Sequence, residues 1–187
     1  MGLKPIETVY KGYRFRSRLE ARWAVFFDSL DISYEYEAQG FDLGNKGWYL
    51  PDFWLPDHEV FVEIKPSSRG NWFFDYKLEE LAHQSQKICL RIVGSPWIGE
   101  YGICVHERGI EHTGEDPCHF AIAVDAAGNH HLGLHQCESS LVLVLSGTPP
   151  VLSDCGISDL KEAYEAARQA RFEHGESGSS SRSRGSA

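Results

Sequence analysis

The sequence predicts an α/β fold, helices packed on a sheet, and three observations carry that expectation. Apolar residues recur at helical spacing in two stretches, RSRLEARWAVFFDSL and FFDYKLEELAHQSQ. Between them lie three short segments rich in aromatic and β-branched residues, SYEYEAQGFDL, GWYLPDFWL and EVFVEIKP, punctuated by Gly, Asn and Pro-Asp. A further apolar run, ICLRIVG, follows the second helical stretch. The order is therefore helix, three antiparallel strands, helix, buried strand. A length of 187 residues suits one domain with an elaboration, at roughly 150 residues per domain.

The first helix is expected over 18–30, because Leu19, Trp23, Phe26, Phe27 and Leu30 share one face. Ser17 and Glu20 match the S-x-x-E capping box, in which a serine oxygen and a glutamate carboxylate satisfy amides left orphaned at a helix start. In the second helix Phe74, Leu78, Leu81 and Ala82 share a side. Beyond residue 96 the pieces YGICVHE, HFAIAVDA, HHLGLHQ and LVLVLSG read as short strands, with AAGN as a hairpin tip. A last helix, about Ser158 to Glu173, is marked by Leu160, Ala163, Tyr164, Ala167 and Ala170. The organisation expected is a core over 1–95, a β-rich elaboration with a closing helix over 96–174, and a low-complexity tail over 175–187.

Composition narrows the function. The 27 acidic residues outweigh 18 basic ones for a net charge of −9, which excludes a histone-like coat for nucleic acid. Residues 1–22 nevertheless hold six basic side chains against two acids, so any polyanion must be engaged locally. No stretch approaches the ~18 apolar residues of a membrane span, and the first residues lack the apolar core of a signal peptide. No membrane partner is expected, and the expected compartment is the cytoplasm. Five scattered cysteines fit reduced thiols better than a disulfide framework.

The stretch YLPDFWLPDHEVFVEIKP carries the chemistry. If Asp57-His58 is a two-residue turn, Pro56 opposes Glu59 and paired residue numbers add to 115, which sets Asp52 opposite Glu63. Like charges facing each other across a sheet destabilise it, and a divalent cation between them would reverse the sign. Alternation puts Lys65 on the face of Glu63 and turns Val62 and Ile64 toward the core. An oxygen donor set of this kind suits magnesium or manganese.

The residues P-D at 51 and 52 with E-I-K at 63–65 resemble the PD-(D/E)xK nuclease superfamily signature. The surrounding elements resemble that family's core, and FRSRLEARWAVFFDSL and AYEAARQARFEHGE look like helices of its small phage-type and actinobacterial members. Holliday-junction resolvases are a more distant likeness. The resemblance implies a restriction-endonuclease-like core with a mixed central sheet, and a magnesium- or manganese-dependent DNA endonuclease that attacks phosphodiesters with a metal-activated water. By the same implication Asp52 and Glu63 are metal ligands, the Ile64 carbonyl is a backbone ligand, and Lys65 orients or activates the water. Glu20 binds the metal directly or through water, with the capping box as the alternative explanation for it.

Arg14, Arg16, Arg18 and Arg22 are candidates for DNA phosphates near the Glu20 site. Trp48, Tyr49, Phe53 and Trp54 are read as packing before stacking platforms, and Lys77 and Gln84 as helix surface before phosphate contacts. Cys118, His119, His130, His131, His135, Cys137 and Cys155 lack the paired spacing of a zinc site, so zinc is not expected. A homodimer is expected only if the protein acts on symmetric junctions as resolvases do. The competing expectation is a non-catalytic DNA- or protein-binding module on a nuclease-like scaffold.

Overall fold

The computed structural model describes residues 5–66, 76–96, 104–105, 111–112, 118–124, 130–137, 140–143, 151–154 and 157–172. The fold is α/β, with a mixed multistranded sheet and three α-helices among the described residues. It opens with a hairpin absent from the sequence expectation, β1 (Thr8–Tyr10) and β2 (Tyr13–Phe15), paired antiparallel. Its turn residues Lys11 and Gly12 have φ of 45° and 86°, the double left-handed conformation of a tight hairpin turn, for which Gly12 carries no steric penalty.

Helix α1 (Arg18–Ser29) falls within the predicted span. Strands β3 (Glu35–Tyr36), β4 (Phe41–Asp42), β5 (Trp48–Tyr49), β6 (Phe53–Leu55) and β7 (Val60–Lys65) follow. The expected segments SYEYEAQGFDL and GWYLPDFWL are thus each split in two. β4 and β5 form a separate small hairpin closed by a 3₁₀ turn at Gly44–Lys46, whereas β3 and β6 join the main sheet. Pro51 lies in the second break and has no N–H to continue a ladder.

After β7 come α2 (Tyr76–Ser85) and β8 (Ile88–Val93), the latter parallel to β7. The small pair β9 (Cys104–Val105) and β10 (Glu111–His112) precedes β11 (Cys118–Val124), β12 (His130–Cys137), β13 (Ser140–Leu143), β14 (Val151–Asp154) and α3 (Ile157–Gln169). The helix ends four residues short of the expected Glu173. The later strands extend the same sheet, because β11 pairs antiparallel with β8, giving the order β14-β13-β12-β11-β8-β7-β6-β3. Val124 pairs with His130 across the expected tip AAGN; the tip, Phe74 and the tail lie outside the described residues. Among the described residues no helix is long and apolar enough to cross a membrane.

Strand alternation divides the core between the two faces of the sheet. Val60, Val62, Ile64, Leu90 and Ile92 pack with Trp23, Phe26 and Phe27 of α1 and with Ala163, Tyr164 and Ala167 of α3. On the opposite face Phe61 and Cys89 pack with Leu78, Leu81 and Ala82 of α2. Phe26 meets Tyr164 with ring centroids 4.7 Å apart, which fastens α3 to α1. The buried Trp23 donates its indole N–H to the Gly94 carbonyl at 2.9 Å, and Gly94 N–H donates to the Lys65 carbonyl at 2.8 Å. These two bonds tie α1 to the end of β7 that carries Glu63 and Lys65.

Candidate active site

The β6–β7 register is the one predicted: Phe53 pairs with Val62, Trp54 with Phe61 and Leu55 with Val60. The turn is wider than expected. Pro56–Glu59 form a four-residue turn with Glu59 at φ 55°, so Pro56 and Glu59 do not pair as a ladder rung. The ladder also stops at Phe53, so Asp52 precedes the strand and does not face Glu63 as a regular cross-strand pair. Pro51 supplies the reason, since a ladder through position 51 would need an N–H that proline lacks.

Asp52 turns its carboxylate onto β7. Its Oδ2 accepts the Ile64 N–H at 2.7 Å and its Oδ1 accepts from Arg16 Nη2 at 2.9 Å. A strand residue points its N–H and C=O to the same side, so the Ile64 carbonyl faces the same β6 side. The residue reached there by continuing the register is Pro51, which has no N–H to offer it.

Three carboxylates gather at this end of the sheet, with Asp52 3 %, Glu63 5 % and Glu20 8 % exposed. Burial first, then the charges of Glu63 and Glu20, push the Asp52 carboxyl up to about 8, against the opposing pull of the Ile64 N–H and Arg16. Glu63 Oε1 is paired with Lys65 Nζ, whereas Glu63 Oε2 is buried and has no hydrogen-bond partner among the described residues. A buried acceptor left open is uncommon and energetically costly.

Glu20 is the most fully engaged of the three. Ser17 Oγ donates to its Oε1 at 2.5 Å, while the Arg16 N–H at 3.1 Å and the Tyr36 hydroxyl at 2.6 Å donate to its Oε2. Ser17 in turn caps the helix by accepting the Glu20 N–H at 3.2 Å. The capping-box expectation therefore holds for the serine, but the backbone N–H that the glutamate accepts is that of Arg16 instead of Ser17. Tyr36 is positioned by Phe15, whose ring lies 4.4 Å away, and by Phe53 at 5.5 Å. Core packing thus extends directly into the carboxylate cluster.

The four arginines separate. Arg16 alone joins the cluster, bridging Asp52 and Glu37, the latter at 2.5 Å. Arg14 pairs with Glu7 at 3.2 Å on the surface of the N-terminal hairpin. Arg18 and Arg22 line a groove with the end of α3. Successive helical residues turn by about 100°, which sets Glu20 on roughly the opposite side of α1 from these two. Lys77 donates to the Trp48 carbonyl at 3.1 Å and Gln84 to the Asp42 carbonyl at 3.0 Å, so both clasp the β4–β5 hairpin. Phe53 is core, and Trp54 stacks on Phe61 at 4.4 Å. Trp48 is largely exposed, yet its indole lies close enough over Gly40 that a Cβ there would collide with the ring.

Arg91 was missed by sequence reasoning. The parallel β7–β8 register pairs it with Glu63, which places it on the same sheet face, and its Nε is buried without a hydrogen-bond partner among the described residues. The signal was a lone charge in the apolar run ICLRIVG. Among the described residues no group of three or more His, Cys, Asp or Glu side chains is arranged to hold a metal ion as the side chains stand. The side chains of Cys118, His119 and Cys137 lie outside the described residues.

No family model, curated protein or solved structure matches this chain.

Proposed function

We propose that the protein is a divalent-cation-dependent DNA endonuclease with a restriction-endonuclease-like core. The observation that carries the proposal is the open, buried Glu63 Oε2 beside an Asp52 carboxyl pushed up to about 8. Two carboxylates that resist sharing a buried site as anions, one with an unfilled acceptor, form a donor set that fits magnesium or manganese. The protein groups that would hold the cation are Asp52, Glu63 and the Ile64 carbonyl, with Glu20 behind them. When bound, the cation supplies Lewis-acid charge to a phosphate oxygen and to an attacking water.

The chain's own residues contribute the rest. Lys65 lies beside Glu63 and is part-exposed, so its ammonium can reach a phosphate or a water at the mouth of the site. Arg16 fixes the orientation of Asp52, and Ser17 and Tyr36 fix Glu20. Arg91 shares the face of Glu63 and offers a guanidinium for phosphate oxygens. The site occupies the carboxyl end of the parallel strands β7 and β8, where α/β sheets commonly bind ligands.

One observation favours a second reading. Arg16 already pairs with Asp52 and Lys65 with Glu63, two ion pairs that a non-catalytic nucleic-acid- or protein-binding scaffold could retain. A panel of labelled linear, branched and single-stranded DNA, incubated with magnesium and with manganese, separates the two. Cleavage that requires the cation and falls at least about 100-fold in Lys65→Ala supports the nuclease. No cleavage of any substrate, together with no cation binding in calorimetry, refutes it.

A further inference from the structure

We infer that Arg18, Arg22, Arg168 and Arg171 form a second phosphate-binding site that holds a nucleic-acid backbone away from the carboxylate cluster. The four side chains line a groove of about 690 Å³ between the start of α1 and the end of α3, with Phe172 in its wall. No carboxylate is among the described residues that line it. Four arginines lining one groove of a protein with net charge −9 concentrate basic side chains where an anion could be received.

Arg168, in the last turn of α3, has an ordinary explanation in the negative end of the helix dipole. Arg22 has none of that kind: it sits in the second turn of α1, and its buried Nε has no hydrogen-bond partner among the described residues. The guanidinium groups that line the groove suit an oxygen-rich anion. Clustered phosphates match this chemistry, because each presents several acceptors to the arginine fork. A nucleic-acid strand presents such phosphates in series, and this contact would let a duplex straddle α1 with another phosphate near Asp52 and Glu63. In that respect the inference rests on the nuclease proposal, but its test does not use the cation.

The full chain is titrated into a fluorescein-labelled 20-base-pair duplex in EDTA, and anisotropy is read at several salt concentrations. Arg168→Gln and Arg171→Gln alter exposed residues at a helix end, and Arg22→Lys retains the charge at the half-buried position. The glutamine variants together are expected to weaken binding at least about tenfold and to lower the salt slope by about one per lost contact, with thermal melts unchanged. Arg22→Lys is expected to keep the slope, and Glu63→Gln to bind at least as tightly as wild type. Wild-type affinity and slope in the double glutamine variant would overturn the groove while leaving cation-dependent cleavage untouched. Conversely, loss of binding in these variants of a protein that never cleaves would retain the groove and refute the nuclease. Tripolyphosphate is the competitor for a small-anion site: arginine-dependent binding of it without any binding of DNA would overturn the strand assignment.

Discussion

Asp52→Asn should stabilise the cation-free protein, and only at neutral to alkaline pH. The Asp52 carboxyl is held at about 8 in the folded chain against an ordinary value of 3.8, chiefly by burial and by Glu63. A group whose folded value is raised contributes stability below its unfolded value and loses it as pH rises, here across the window from about 4 to about 8. With about 1.4 kcal/mol for each tenfold change in proton affinity, the upper bound at pH 8.5 is about 6 kcal/mol. The amide cannot pair with Arg16 as a carboxylate does, and the cluster can relax around it, so a net gain of about 1–3 kcal/mol is expected. Urea unfolding of wild type and variant in EDTA, at pH 5 and pH 8.5, measures the gap directly. It should be widest at pH 8.5 and shrink to about a third or less at pH 5. A variant that is less stable at pH 8.5, or a gap independent of pH, would show that Asp52 is not forced into its charged state at a cost.

Three further outcomes follow from the same geometry. Saturating manganese should raise the melting temperature by about 5–10 °C, equivalent to roughly 2–3 kcal/mol at a hundredfold excess over Kd, and Glu63→Gln should abolish the rise; an equal rise in the variant would place the cation elsewhere. Ser17→Ala should cost about 1 kcal/mol in chemical denaturation through loss of the cap, and also free Glu20 Oε1; no change would mean that the cap contributes nothing. Phe26→Ala should destabilise by about 3–5 kcal/mol, because Phe26 is fully buried between Trp23 and Tyr164 and joins α1 to α3. A loss below about 1 kcal/mol would mean that α3 does not depend on this contact.

The carboxylate cluster shows which parts of a site are local in sequence and which are not. Lys65 and Glu63 are two residues apart on one strand, so strand alternation alone places them together. The parity of the β6–β7 pairing also follows from a short connection, which is why the register was legible although the turn spans four residues instead of two. The split of GWYLPDFWL was foreshadowed by Pro51, a residue that cannot serve a continuous ladder. The Arg91 position, by contrast, depends on the parallel pairing of β7 with β8, which no local pattern specifies. The second-half strands were recognisable as strands, but their joining to β8 required the edge that only the assembled sheet presents.

By itself the sequence determined the periodic elements: α1 and its serine cap, the alternating face of β7, and the pairing of β6 with β7. These depend on interactions within a few residues or across one short turn. Tertiary structure decided the electrostatics. It brought Glu20 and Tyr36 to Asp52, drew Arg16 into the cluster, and sent Arg18 and Arg22 to a separate groove. Four arginines within nine residues of one another look alike in sequence because charge carries no direction there. Packing α1 against the sheet gave each a direction, and burial then turned the proximity of carboxylates into a force strong enough to move a proton.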